Sequence, residues 1–331
     1  MGIALSHLPA YIVSQAAWPQ TAEAAHPGST PADRRSSEEI SRPAAQASSE
    51  FATFGPVHLE VTDRGRSLRL WRDVVGLKVR GDGASVELGT DADTLVVLHP
   101  VASRPAQRGQ SGLYHLAIHL PSEPEFARVL ARLIERGVPI SVVDYVMSKA
   151  IYLNDPDGLG LEFTLETPER MDDYSVAPGR VAVIDAESHD RSGSDPLLAA
   201  VLSKLPDLDV ARPLPADAKI GHVHLHVGNL QAAYEFYKGL GFSKNTIFPE
   251  LGTGDLGAGG LSKHRIGLNI WQGHNAPQAP FGTARMRHFT LRFVSLDRLD
   301  AALRRAPHAE KHADEYVVHD PSGNRIVLTA A

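Results

Sequence analysis

The chain has 331 residues, 43% hydrophobic and 22% charged, enough for two ordinary domains with real cores. A net charge of −6 with no Lys/Arg-rich run argues against nucleic acid or an anionic membrane surface as a partner. Cysteine is absent, which excludes disulfides, thiolate catalysis and Cys-based metal sites, leaves any metal to His and carboxylates, and fits a reducing cytoplasm.

Residues 1–50 are rich in Ala, Pro, Ser and Glu and read as a disordered extension. The apolar patch at 8–18 has no basic segment before it, so it does not read as a signal peptide. No uncharged apolar run reaches the roughly 18 residues needed to span a bilayer. The stretch VHLEVTD (57–63) then alternates like a half-buried strand, and a helix opens at Ser67 and stops at Gly76. The same grammar recurs three times. YHLAIHL (114–120) precedes a helix at 123–136, VHLHVGN (223–229) precedes a helix ending at Gly241, and HFTLRF (288–293) precedes a helix at 296–305.

Two of the four units close on a matching turn and strand, DPDG (155–158) before Leu161-Glu162-Phe163 and DPSG (320–323) before Ile326-Val327-Leu328. The units lie near 54–102, 112–166, 220–274 and 286–330. The domain organisation expected is a first domain at 51–168, a polar linker at 169–218 with one short helix at 195–204, and a second domain at 219–331. A single unit cannot cover its own sheet, so the class expected is α+β, with four βαβββ modules pairing into two curved, barrel-like mixed sheets around a cavity.

The phrases SGLYHLAIHLP, YLNDPDGLGLEF, IGHVHLHV and HRIGLNIW, set in this fourfold repeat, resemble the vicinal oxygen chelate superfamily of extradiol dioxygenases, glyoxalase I and bleomycin- and fosfomycin-resistance proteins. Within it they look like the two-domain catechol-2,3-dioxygenase branch. The resemblance implies metal ligands at the start of a unit's first strand and on its last strand. Carried onto this sequence, the first-strand places are Pro56, His115, His222 and His288, and the last-strand places are Glu162, Asn269 and Val327.

The site familiar from that branch would fall on His222, His288 and Val327, and a valine cannot ligate. One combination is complete: His115 and Glu162 of unit two with His222 of unit three. It is a 2-His-1-carboxylate facial triad of the type that holds non-haem Fe(II), with Mn(II) the alternative. The pattern therefore predicts that units two and three pair across the linker, leaving units one and four as a metal-free half. His222, His224 and His226 share one face of their strand, so His224 stays an alternative ligand. Taken singly, each of these histidines reads as a hydrogen-bonded core residue and Glu162 as a surface carboxylate.

The resemblance further implies an acid–base role for His264 and an active-site role for Tyr152, with Tyr145 near the place of a further active-site His. His58, His119, His274, His288 and Trp271 read as cavity, structural or surface residues. The activity implied is insertion of O2 into a catechol-type aromatic diol, beside the hydroxyls, in aromatic hydrocarbon catabolism. Two alternatives stand beside it: a glyoxalase-like metal-dependent isomerase or lyase, and a metal-free small-molecule-binding protein. Homo-oligomerisation is left open.

Overall fold

The computed structural model describes residues 49–145, 147–169, 209–260, 264–306 and 308–331. Nearly all of the expected extension at 1–50, and most of the linker with its expected helix at 195–204, lie outside the described residues.

Each unit is a strand, a helix and three strands. Unit one comprises β1 (Ala52–Glu60), α1 (Arg64–Leu68), β2 (Lys78–Asp82), β3 (Val86–Gly89) and β4 (Thr94–His99). Unit two comprises β5 (Gly112–His119), α2 (Glu123–Glu135), β6 (Ser141–Asp144), β7 (Ser148–Asn154) and β8 (Gly160–Glu166). Unit three comprises β9 (Lys219–His226), α3 (Leu230–Gly239), β10 (Ser243–Phe248), β11 (Thr253–Gly257) and β12 (Ile266–Asn269). Unit four comprises β13 (Arg285–Phe293), α4 (Leu296–Leu303), β14 (Glu310–His312), β15 (Glu315–His319) and β16 (Arg325–Ala330).

Local chemistry explains the helix boundaries. Asp63 accepts the backbone N–H of Arg66 at 2.6 Å, so the first helix starts three residues before the expected Ser67. It continues as a π-helical turn at Arg69–Val74, whose first residues bury Leu70 and Trp71. Ser122, Asn229 and Ser295 cap the other three helices in the same way. Gly76, Gly137 and Gly241 follow three helices at positive φ, the conformation glycine adopts at least cost.

The strands form two eight-stranded mixed sheets, ordered β14-β15-β16-β13-β1-β4-β3-β2 and β10-β11-β12-β9-β5-β8-β7-β6. Antiparallel pairing of β1 with β13 joins units one and four, and antiparallel pairing of β5 with β9 joins units two and three. Each half of the sequence therefore gives one unit to each sheet. A single hydrophobic cluster runs through both sheets, from Val57, Leu59 and Phe289 to Leu116, Phe163 and Val223.

Units adjacent in sequence are tied by their helices and turns instead. Arg132 on α2 is 3% exposed and donates to the carbonyl oxygen of Val75 at 2.9 Å, satisfying the end of the first helix. Asp157 in the turn of unit two accepts from the Thr62 backbone N–H at 2.8 Å and from its hydroxyl at 2.6 Å. In unit four, Asp320 accepts from Tyr237 of α3 at 3.2 Å. No helix among the described residues is long and apolar enough to cross a membrane.

Two measurements test this framework. A Cβ on Gly160 would sit 2.0 Å from the Tyr114 carbonyl oxygen, whereas one on Gly83 meets nothing within 4 Å. Gly160→Ala should cost on the order of 1–3 kcal/mol in urea unfolding and Gly83→Ala less than about 0.5 kcal/mol. Burial, reinforced by the neighbouring Asp157 carboxylate, raises the Asp155 carboxyl from 3.8 to about 7. A folded-state pKa above the unfolded one contributes stability that is complete at low pH and lost as pH rises through about 7. The difference between wild-type and Asp155→Asn unfolding free energies should therefore slope between about pH 4 and pH 7, and flatten above it.

Candidate metal centre

The pairing of β9, β5 and β8 decides which side chains meet. Ala117 on β5 lies opposite His222 on β9 and, on its other side, opposite Glu162 on β8. His115 is two residues back along β5, on the same face by strand periodicity. Ala117 is fully buried and small, so three longer side chains can close over it.

Their donor atoms converge. His115 Nε2 lies 2.9 Å from Glu162 Oε2 and 3.2 Å from His222 Nε2, and His222 Nε2 lies 3.1 Å from Glu162 Oε2. The three residues are 3–5% exposed and are the only group of three potential ligands this close among the described residues. Metal–donor bonds of roughly 2.0–2.2 Å in neighbouring octahedral positions place donors about 3.0 Å apart, so this spacing fits a facial set.

The electrostatics fit as well. Burial opposes ionisation of Glu162, but the imidazoles of His222 and His115 outweigh it and hold its carboxyl well below the usual range. Burial pushes the His222 imidazole down, more strongly than the Glu162 carboxylate raises it. An ionised carboxylate beside a neutral imidazole is the protonation state that ligation requires. A buried carboxylate in that state calls for a cation.

The surroundings are aromatic and imidazole-rich. His224 does not join the donor group: its Nε2 accepts from Asn269 Nδ2 at 2.9 Å, while Asn269 Oδ1 accepts from His226 Nδ1 at 2.6 Å. The fourth symmetric place is thus occupied by an amide committed to two histidines. The Tyr114 ring stands edge-on to Trp271 at 5.4 Å and to His224 at 5.0 Å. Tyr152 lies opposite Glu162 across the β7–β8 ladder, its ring 5.5 Å from that of His115. Burial, with the Glu162 charge, raises the Tyr152 phenol well above its usual pKa, and its hydroxyl donates to Tyr145 at 3.2 Å.

His264 sits edge-on to His222 at 4.4 Å between ring centres and donates from Nδ1 to Asp255 Oδ2 at 2.8 Å. Burial opposes its charge, but Asp255 outweighs that and raises His264 above the ordinary imidazole range. All five residues singled out by the sequence, His115, Glu162, His222, His264 and Tyr152, therefore occupy one region. Sequence reading missed Asp255, and it left His119 among the cavity, structural or surface residues without placing it beside the donors. The only signals were a lone carboxylate in the Gly-rich strand TGDLG and a second His at the end of β5.

In the other sheet no comparable donor group forms among the described residues. Thr290 takes the place of Ala117 and lies beside Val327, and Pro56 falls where β1 is irregular opposite β13. Its imidazoles cluster differently: His58 stacks on His288 at 4.0 Å and places Nδ1 2.9 Å from His99 Nε2. Burial, then neighbouring histidines and the Arg287 and Arg325 guanidiniums, lower His58 to about 4 and His288 to about 3. The Arg287 and Arg325 guanidiniums act on His58 and His288, while the Glu60 carboxylate acts on His99.

The profile described as the Glyoxalase/Bleomycin resistance protein/Dioxygenase superfamily matches residues 53–163 and 219–328. A protein of Bacillus subtilis (strain 168) named catechol-2,3-dioxygenase is 32% identical over 287 residues, spanning 82% of this chain and 95% of that protein. A solved Bacillus subtilis structure, provisionally named a dioxygenase, superposes with a TM-score of 0.52 at 11% identity over 84% of each chain. Glyoxalase I from Zea mays gives a TM-score of 0.49 at 15% identity, over 84% of this chain and 92% of that one. With both matched blocks built from the repeated βαβββ unit, and a relative this similar along most of its length, the chain belongs to the Glyoxalase/Bleomycin resistance protein/Dioxygenase superfamily.

Proposed function

We propose that this protein is an extradiol ring-cleaving dioxygenase acting on a catechol-type aromatic diol and O2, with Fe(II) held by His115, Glu162 and His222. The observation that carries the reading is the convergence of two imidazole nitrogens and one carboxylate oxygen within 3.2 Å, without a fourth donor in the group among the described residues. A glyoxalase-like site would need that fourth ligand, and Asn269 is already engaged by His224 and His226. The 32% identity to a protein named catechol-2,3-dioxygenase supports the same choice. Mn(II) suits this donor set as well.

Held by His115, Glu162 and His222, a divalent metal would supply Lewis acidity that lowers the pKa of a substrate hydroxyl. The chain does the rest. Asp255 keeps one proton of His264 on Nδ1, so that Nε2, once deprotonated, can take a proton from a substrate hydroxyl and later return it. Tyr152 remains a phenol at neutral pH, and turning its single O–H from Tyr145 toward the site would let it donate to an oxygen that gains charge. Tyr114 and Trp271 offer flat faces and edges to an aromatic ring.

Protein purified without oxygen should carry about one iron per chain. Adding catechol in air should consume O2 and give a yellow ring-opened product. Absence of iron, together with no O2 uptake after Fe(II) is supplied, would overturn the reading. Glu162→Ala should abolish iron binding, whereas His288→Ala should leave it nearly unchanged; equal loss in both would refute a site built from units two and three. His264→Ala should retain iron, assayed by metal analysis, but lower kcat by roughly 10²- to 10⁴-fold.

A further inference from the structure

A second histidine on β5 lies directly behind the donor group. His119 is 5% exposed, and its Nε2 stands 3.0 Å from His222 Nδ1, the ring nitrogen that does not face Glu162. Its other nitrogen, Nδ1, is 3.2 Å from Glu166 Oε1 at the end of β8, within ion-pair distance but not aligned for a hydrogen bond. Arg265 donates from Nη1 to the same Glu166 oxygen at 2.7 Å and from Nε to Glu50 Oε1 at 2.8 Å. Burial opposes ionisation of Glu166, but His119 and Arg265 outweigh it and hold its carboxyl far below the ordinary range. The line from His222 thus ends on a fixed anion.

Space for this line is built into the backbone. Residue 221 is a glycine, and a Cβ there would fall 2.0 Å from the His119 ring. No positive φ explains that glycine, so the reason left is the close approach of the imidazole. His115 has no comparable support: its Nδ1 is buried and makes no hydrogen bond. Of the two imidazoles in the donor group, His222 alone is held from behind.

The hydrogen-bond directions follow from one requirement. If Nε2 of His222 offers its lone pair to a metal, the His222 proton must reside on Nδ1. His119 Nε2 must then accept that proton's hydrogen bond, which leaves the His119 proton on Nδ1, facing the Glu166 carboxylate. Resting on the reading of His115, Glu162 and His222 as metal ligands, we propose that His119, anchored by Glu166, is a positioning residue that locks His222 in its metal-binding tautomer and orientation and thereby sets metal affinity. Groups placed behind a ligating histidine typically change metal affinity by roughly 10- to 100-fold when removed.

The test uses the full-length protein and Fe(II), titrated without oxygen against a competing chelator. His119→Leu removes the acceptor at similar bulk, whereas His119→Gln keeps a carbonyl oxygen near the place of Nε2. His119→Leu should weaken Fe(II) binding roughly 10- to 100-fold, and His119→Gln should restore most of it. Unfolding midpoints of the metal-free variants identify any general loss of fold. Wild-type affinity in His119→Leu, or equal loss in both variants, would overturn the proposal.

A second measurement needs no variant. In the Zn(II)-loaded protein, imidazole ¹⁵N shifts should show His119 as the Nδ1–H tautomer; an Nε2–H tautomer would overturn the proposal. Glu162→Ala separates the two levels of inference. If it binds Fe(II) like wild type, the ligand reading itself is wrong; if it fails to bind while His119→Leu binds normally, only the role of His119 falls.

Discussion

The antiparallel pairing of β5 with β9 is the constraint on which the rest of this molecule depends. It sets His222 opposite Ala117, and the parallel pairing of β5 with β8 sets Glu162 opposite the same alanine from the other side. Because residues paired across a ladder share a face, a slip of one residue in either pairing would turn a donor away from the group. Gly160, at the start of β8, lets that strand approach the Tyr114 carbonyl closely enough to hold the register. The smallness of Ala117 then matters as much as the ligating side chains above it.

The electrostatic consequence is a buried anion between two imidazoles. Glu162 is ionised in a place where an unpaired carboxylate is costly, and burial pushes the His222 imidazole beside it toward its neutral form. A divalent cation resolves this conflict without protonating either partner. The sheet of units one and four resolves its own burial problem in another way. With Val327 and Pro56 at the corresponding places, its histidines stack on one another and stay neutral beside guanidiniums. One architecture thus carries two electrostatic solutions, chosen by a few side chains.

A layer of partners surrounds the donors and fixes ring orientation. Asp255 holds His264, Asn269 holds His224 and His226, and Glu166 holds His119 behind His222. These partners come from strands other than those of the rings they orient, which is why no linear motif announces them. The aromatic residues beside them, Tyr114, Tyr152 and Trp271, give the donor group a flat and largely apolar neighbourhood.

The repeated unit, its period and its turns were legible in the sequence by itself, because strand alternation, helix caps and Asp-Pro-x-Gly turns are local signals. Valine at 327 is also local information: a residue without a lone pair is excluded as a ligand whatever surrounds it, and that exclusion pointed to His115, Glu162 and His222. The convergence of those three on one point is tertiary. It depends on β5 choosing β9 as its neighbour, which brings together His115 and His222, 107 positions apart, and on register to the single residue. The roles of Asp255 and His119 were likewise decided only in the fold. A lone Asp in a glycine-rich strand and a second His on a strand have no recognisable spacing, and they acquire meaning through partners that only the paired sheets bring within 3.2 Å.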